Sequence, residues 1–192
     1  MNGPERGPDR GDDRLPFLAA QAGAPYEAIR PIPVSILLGN VRSLYNVGAF
    51  FRTADAAGCA RLYLCGITGR PPKPAITKTA LGAEETVAWE YRPQALPLIS
   101  ELKEKGHEIA AVETSNRAID LFDWQPSFPV CLLFGHETDG LDAALLARAD
   151  THVRIPMLGR KHSLNVATAG GIVLYELLRK YRRLSESATI RR

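Results

Sequence analysis

Three short blocks of the sequence bring together side chains that could do chemistry, and the first contains Asn46 and Arg52. Asn46 stands where a helix is predicted to begin, and an asparagine there can cap free backbone N–H groups. Arg52 has Phe50 and Phe51 as neighbours, so it lies on or beside a partly buried face. A guanidinium held there could bind a phosphate or a carboxylate through two parallel hydrogen bonds. The alternative is a surface arginine paired with Asp55, and the composition leaves both interpretations open.

The second block, Leu133–Leu141, is an apolar strand that runs into an acidic turn bracketed by glycines. Gly135 would let another backbone or a ligand approach closely, and Gly140 would allow a sharp exit into the next helix. Glu137 could bind a hydrogen-bond donor or orient a base. The alternative is an ordinary strand-to-helix turn in which Asp139 caps the helix.

The third block begins at Ile155 and offers Met157 and Leu158 as apolar surface, followed by a glycine that exposes its backbone. Together these groups could hold an adenine ring by contact and by main-chain hydrogen bonds. Ser163 stands at the predicted N-cap of the last helix, and Asn165 lies two residues further on. Helix capping is the commoner role for such a serine, so a purely structural interpretation stays open.

Strands that alternate with helices connect these blocks and predict an α/β fold with a parallel sheet covered on both faces. The predicted strands are 34–38, 62–65, 86–91, 108–112, 130–134 and 152–155, and the predicted helices are 46–57, 96–105, 141–148 and 163–184. Residues 66–75 are predicted to form a loop because they hold three prolines and two glycines. Ligands of such sheets bind at the carboxyl ends of the strands, which is where the polar blocks fall.

The 192-residue chain is long enough for one well-filled domain, and its 45% hydrophobic and 23% charged residues are typical of a soluble globular protein. No apolar run approaches the roughly 18 residues of a membrane span. We expect a flexible tail at residues 1–30, a domain at 31–184 and a basic tail at 185–192. The first 30 residues contain no apolar secretory segment, so a cytoplasmic protein is expected.

The cysteines and the missing motifs narrow the chemistry further. Cys59, Cys65 and Cys131 are odd in number and lie in apolar runs, which predicts reduced core thiols and no metal site. The patterns GxxxxGK[ST], GxGxxG, HExxH and GxSxG are absent. An α/β enzyme without them must bind its cofactor in another way.

The three blocks together read N-x5-N-x-G-A-x2-R-T, then F-G-x-E-x2-G, then I-P-M-x-G-x3-S-L-N. This pattern resembles the three motifs of the SpoU/TrmH family of SPOUT methyltransferases, and the resemblance extends from about Val34 to Leu178. It implies a parallel α/β fold with a C-terminal trefoil knot, a homodimer, and S-adenosylmethionine as cofactor. By position, the loops at Thr114, Gly135 and 155–158 would enclose the cofactor, and Leu164 would close its adenine side.

The same resemblance implies a methyl transfer to the ribose 2′-hydroxyl of RNA, with Arg52 as the key catalytic residue. An arginine is normally always charged, so its role as the literal base stays open. Asn46, Glu137, Ser163 and Asn165 would orient Arg52, the ribose or the cofactor. His136 stands where many members carry asparagine, which leaves the local hydrogen bonding in question.

The RNA is expected to be tRNA, with rRNA as the alternative, and Arg42, Arg160 and Lys161 are expected to face it. The net charge is +3, and the C-terminal end adds a basic stretch that could follow phosphates or be a solvated helix end. Its basic residues are Arg179, Lys180, Arg182, Arg183, Arg191 and Arg192. Two rival functions are a non-catalytic RNA-binding module and an esterase that uses Ser163 with His162, although the esterase lacks a nucleophile elbow.

Overall fold

Seven strands, all parallel to their neighbours, form the centre of the protein within the part of the chain that the structure describes. The computed structural model describes residues 31–190, and their side chains as far as residue 185. The strands are β1 (Ile32–Gly39), β2 (Cys59–Cys65), β3 (Trp89–Arg92), β4 (Glu108–Val112), β5 (Ile119–Asp120), β6 (Val130–Phe134) and β7 (Thr151–Arg154), and their order across the sheet is β3-β2-β1-β6-β4-β7-β5.

Helices cover both faces of the sheet. They are α1 (Leu44–Ala57), α2 (Pro74–Ala80), α3 (Ala83–Thr86), α4 (Ala95–Glu104), α5 (Ala143–Arg148) and α6 (Val166–Ile190). The predicted α/β fold with a parallel sheet is confirmed, while the C-terminal knot stays a prediction. The expected N-terminal tail, residues 1–30, lies outside the described residues. Helix α6 continues to Ile190, so the expected start of a basic tail at residue 185 falls inside that helix.

Alternation of side chains along β1 and β6 explains why both faces are covered. Ile36 and Leu132 belong to one buried cluster, which also holds apolar residues of α1 and α6. Leu37 and Leu133, the next residues along the two strands, belong to a second cluster with α4 and α5. Successive strand residues point to opposite faces, so a continuous apolar run needs a helical layer on each side.

Helices α1 and α6 approach each other closely because α6 carries small residues at the contact. A Cβ placed on Gly170 would lie only 2.3 Å from a ring carbon of Phe50, whereas one placed on Gly171 would make an ordinary 3.7 Å contact with Thr53. The Phe50 ring also packs on Phe134 of β6, with 5.0 Å between ring centroids. This contact within the chain accounts for Gly170, because a glycine is otherwise costly in a helix.

Three predicted helix caps are wrong. Helix α1 begins at Leu44, and Ser43 rather than Asn46 is its N-cap. Asp142 rather than Asp139 caps α5, because its carboxylate accepts from Leu145 N. Ser163 does not cap α6, which begins at Val166.

The predicted loop at 66–75 is confirmed for residues 66–73, and a helix begins at Pro74. Helices α2 and α3 were not predicted, because α2 begins at Pro74 inside a proline-rich stretch and α3 is a single turn. The short strand β5 was also missed.

The three cysteines are buried and unpaired, as predicted. Burial raises the pKa of the Cys131 thiol to about 12, which keeps it protonated in the core. Among the described residues, no helix is long and apolar enough to cross a membrane. The same residues contain no group of three or more His, Cys, Asp or Glu side chains that could hold a metal ion.

Candidate active site

A cleft lies at the carboxyl ends of β4, β6 and β7, where the chain order crosses over and where α/β sheets bind ligands. It encloses about 180 Å³ and opens to solvent. The predicted cofactor residues that line it are Thr114, Gly135, Ile155, Met157 and Leu164. Leu158 does not line it, because its side chain points into solvent and is 101% exposed. Five of the six predicted cofactor residues thus line one cleft, and the contact of all six with the cofactor stays a prediction.

A hydrogen-bonded cluster at the edge of this cleft joins residues from all three sequence blocks. Glu137 accepts hydrogen bonds from the backbone of Arg42 (3.1 Å) and Ser43 (2.9 Å) and from the amide of Asn46 (3.0 Å). The amide of Asn165 donates to the side-chain oxygen of Asn46 at 3.1 Å. The cluster thus ties the start of α1, the turn after β6 and the start of α6 to one another.

The donors around Glu137 favour its charged form. Burial acts against ionisation, but the hydrogen bonds from Ser43, Arg42 and Asn46 outweigh it and lower the pKa of Glu137. The carboxylate also lies at the N-terminus of α1, where the free N–H groups favour negative charge. Glu137 is therefore a fixed anion that positions Asn46.

Helix capping decides which side chains are free to join the cluster. Ser43 caps α1, so the amide of Asn46 in the first turn is released for Glu137 and Asn165. Asn165 uses its oxygen to accept from the backbone of Ala167 (3.0 Å) and Thr168 (3.2 Å), which leaves its amide nitrogen for Asn46. Ser163 lies two residues earlier and lines the cleft instead.

The turn between β6 and α5 depends on the close approach of two backbones. A Cβ on Gly135 would lie 2.2 Å from the carbonyl carbon of Gly140, so the expected close approach at Gly135 is that of another backbone. The ring nitrogen Nδ1 of His136 accepts from the backbone of Thr138 and Asp139, both at 3.3 Å. An asparagine oxygen could accept in the same way, so this departure from the family pattern preserves a hydrogen-bonded turn.

Glu113 is a cleft residue that the sequence interpretation missed. Its carboxylate accepts from Thr114 N at 3.0 Å and from Leu141 N at 3.1 Å, which joins the loop after β4 to the turn after β6. It also lines the cleft. A glutamate just after an apolar strand in an α/β sheet is the signal that could have identified it.

Arg52 makes no hydrogen bond with this cluster. Its side chain is exposed, and it makes no hydrogen bond or ion pair with any described residue. The alternative ion pair with Asp55 is not formed, because Asp55 instead accepts a hydrogen bond from the hydroxyl of Thr86 at 2.7 Å. Arg52 is thus available to a group from outside the described part of the chain.

The predicted RNA-facing residues Arg42, Arg160 and Lys161 are all exposed. The basic end of α6 is less available than expected. Lys180 is buried and donates to the carbonyl oxygens of Leu121, Phe122 and Trp124, so it holds the loop after β5 and cannot follow phosphates. Arg179 forms an ion pair with Glu176, although it remains partly exposed.

Comparison with known proteins places this site in a family. Residues 33–175 match the SpoU rRNA Methylase family. The chain belongs to this family. The resemblance found in the three sequence blocks is thereby confirmed, and so is the predicted enzyme class of methyltransferase.

Relatives in this family modify different RNAs. A tRNA (guanosine(18)-2'-O)-methyltransferase of Thermus thermophilus is 33% identical over 147 residues, covering 77% of this chain and 75% of the relative. A 23S rRNA (guanosine-2'-O-)-methyltransferase RlmB of Vibrio parahaemolyticus is 32% identical over 149 residues, covering 77% of this chain and 60% of the relative. The AdoMet-bound rRNA methyltransferase of Sinorhizobium meliloti has a similar structure, with a TM-score of 0.72, 32% identity, and coverage of 79% of this chain and 58% of that one.

The walls of the cleft fit S-adenosylmethionine. Ile155, Met157 and Leu164 offer apolar contact for a flat adenine ring, and the exposed backbone after β6 and β7 offers hydrogen bonds. The carboxylate of Glu113 brings negative charge to a cleft that would hold a cationic sulfonium. The SpoU fold thus supplies both the apolar and the electrostatic features that this cofactor requires.

Proposed function

We propose that the protein transfers a methyl group from S-adenosylmethionine to a ribose 2′-hydroxyl of RNA, with tRNA as the favoured substrate and rRNA as the alternative. The observation that carries this proposal is the hydrogen-bonded cluster of Asn46, Glu137 and Asn165 at the edge of the cleft. Three separate sequence blocks meet there, beside a cleft whose walls suit the cofactor. The relatives that methylate tRNA and rRNA support the same chemistry.

The residues of the cleft and of the cluster have different proposed roles. Thr114, Gly135, Ile155, Met157 and Leu164 hold the cofactor, and bound S-adenosylmethionine supplies a methyl group on a sulfonium that becomes a neutral thioether. Ser163 and the Asn46–Glu137–Asn165 cluster orient the ribose beside the cleft. Fixing the reacting groups in this way contributes much of the rate enhancement, since the reaction needs alignment more than added nucleophilicity.

Arg52 is proposed as the catalytic residue that acts on the 2′-hydroxyl. Its exposed guanidinium has no partner among the described residues, so it can bind an RNA phosphate through two hydrogen bonds. As the ribose oxygen forms its bond to the methyl carbon and the carbon–sulfur bond breaks, the hydroxyl proton passes to the phosphate oxygen that the guanidinium holds, and from there to solvent. The exposed Arg42, Arg160 and Lys161 bind further phosphates, which makes affinity dependent on salt.

We also propose that the protein is a homodimer. The outer surface of α1 and the N-terminal half of α6 leave Tyr45, Ile172 and Tyr175 partly or well exposed. Apolar side chains of this kind on adjacent helices favour contact with a second copy. The place of action is proposed to be the cytoplasm, where tRNA and rRNA are accessible.

The test is incubation of the full chain with methyl-labelled S-adenosylmethionine and, separately, total tRNA or rRNA. We expect label in RNA, and more of it in tRNA, together with saturable cofactor binding measured by calorimetry. Absence of label from every RNA, combined with absence of cofactor binding, would contradict the proposed function. Label in rRNA alone would retain the reaction and correct the substrate.

A further inference from the structure

A buried histidine of β7 contacts the loop that follows β4. His152 is the sheet neighbour of Ala111 in β4, and only 6% of it is exposed. The hydroxyl of Ser115 lies 3.0 Å from its Nδ1, while the guanidinium of Arg117 and the carbonyl oxygen of Leu146 each lie 3.1 Å from its Nε2. A buried polar ring is stable only with such partners, so His152 connects this loop to the sheet.

The partners of the ring determine which nitrogen of the neutral imidazole carries the hydrogen. Arg117 can only donate, so Nε2 accepts and the hydrogen lies on Nδ1, which donates it to the Ser115 hydroxyl. Leu146 O does not need a hydrogen bond from the ring, because it accepts from the backbone N–H of Ala149 at 3.3 Å. The neutral ring therefore binds Ser115 and Arg117 at the same time.

Both of these partners belong to residues 113–118, which we call the β4 loop. The loop begins at Glu113, whose backbone N–H donates to the carbonyl oxygen of Val153 at 3.0 Å. Glu113 and Thr114 line the cofactor cleft, whereas Ser115 and Arg117 do not. The loop is thus in contact with the cleft at its start, and His152 holds it through the residues that follow.

We propose, resting on the proposed function, that His152 is a positioning residue for S-adenosylmethionine, because it keeps the β4 loop in the conformation that places Thr114 at the cleft. Its hydrogen bonds to Ser115 and Arg117 are present before the cofactor binds. A loop that adopts its binding conformation for only a fraction of the time binds with an affinity reduced by that fraction. His152 therefore raises cofactor affinity, although it does not itself line the cleft.

The first test changes the two loop residues, because neither is buried and their substitution should leave the fold intact. We expect Ser115→Ala and Arg117→Ala each to weaken S-adenosylmethionine binding about 5-fold, as measured by calorimetry with the full chain. Ser115→Thr keeps the hydroxyl and should bind as the wild type does. The exposed Ser127→Ala and Arg182→Ala are the matched controls and should retain wild-type affinity.

A positioning role also has a kinetic signature. In Ser115→Ala the KM for S-adenosylmethionine should rise by the same factor, while kcat at saturating cofactor stays at the wild-type value, because the cofactor-bound loop is the same. Without cofactor, the backbone amides of residues 113–118 should exchange their hydrogens faster in Ser115→Ala than in the wild type. A lower kcat with an unchanged KM would contradict the positioning role.

A double-mutant cycle decides whether Arg117 acts through His152 or binds the cofactor itself. His152→Asn retains a polar group near the place of Nδ1 but is too short to reach Arg117. Arg117→Ala should therefore weaken binding in the wild-type chain and have no further effect in His152→Asn. Equal weakening in both backgrounds, or wild-type affinity in Ser115→Ala or Arg117→Ala, overturns this inference alone. A wild-type chain that binds no S-adenosylmethionine overturns it together with the proposed function.

Discussion

The two sides of α1 differ in what they contact, although both belong to the same sequence block. On the inner side, Phe50 packs against Gly170 and Phe134, and Asn46 bonds to Glu137 and Asn165. On the outer side, Arg52 is exposed and has no partner among the described residues. The inner side thus fixes the geometry of the site, while the outer side is accessible to other molecules.

This contrast predicts that the outer side controls catalysis without affecting the fold. Arg52→Ala should reduce methyl transfer about 100-fold or more, because it removes the group that guides the hydroxyl proton. Cofactor affinity and the midpoint of thermal unfolding should stay at wild-type values. The measurements are single-turnover transfer, calorimetry with S-adenosylmethionine and thermal unfolding, with Arg148→Ala as the control. Lost cofactor binding in Arg52→Ala would contradict the role assigned to it.

The inner side should respond to substitution in its stability, and adjacent glycines provide a matched pair. Gly170→Ala should lower the free energy of unfolding, because a Cβ only 2.3 Å from the Phe50 ring forces overpacking that costs about 1–3 kcal/mol. Gly171→Ala meets only an ordinary contact at 3.7 Å and should raise that free energy by up to about 1 kcal/mol. Urea unfolding measures both; equal effects would show that the two helices do not pack in this way.

The smallest expected effect concerns Glu137, which connects the inner side of α1 to the turn after β6. Its hydrogen bonds lower its pKa below the unfolded value, so the stability they contribute is present at neutral pH. That contribution is lost as the pH falls through the lowered pKa. Glu137→Gln should cost about 1 kcal/mol at pH 7 and less at acidic pH, as measured by urea unfolding across the pH range. If the loss of unfolding free energy in Glu137→Gln did not change with pH, the charge of Glu137 would not be the source of that stability.

The sequence predicted the central strands and the general place of the site because these depend on local patterns. The apolar runs 108–112 and 130–134 match β4 and β6 residue for residue. The caps could not be predicted in the same way, because several residues near each helix start are able to cap. Two contacts place Asn46 in the site. Ser43 caps α1, so the Asn46 side chain is not needed as a cap, and Glu137, 91 positions away, accepts a hydrogen bond from its amide.

The residues that the sequence patterns did not identify were missed for the same physical reason. Glu113 is held by the hydrogen bond that it accepts from Leu141 N, 28 positions away, and its local sequence does not predict that contact. Lys180 belongs to a basic run that looks solvated, but the fold buries it against three carbonyl groups. Long-range contacts of this kind appear only when the sheet order is known.

The position of the transferred methyl group tests the proposed function most directly. RNA labelled by the wild-type chain is digested to completion with alkali, which cleaves only where a free 2′-hydroxyl is present. A ribose 2′-O-methyl group blocks that cleavage, so we predict that the label is recovered in alkali-stable dinucleotides. Label recovered in mononucleotides with a methylated base would contradict the assignment of this site to ribose methylation.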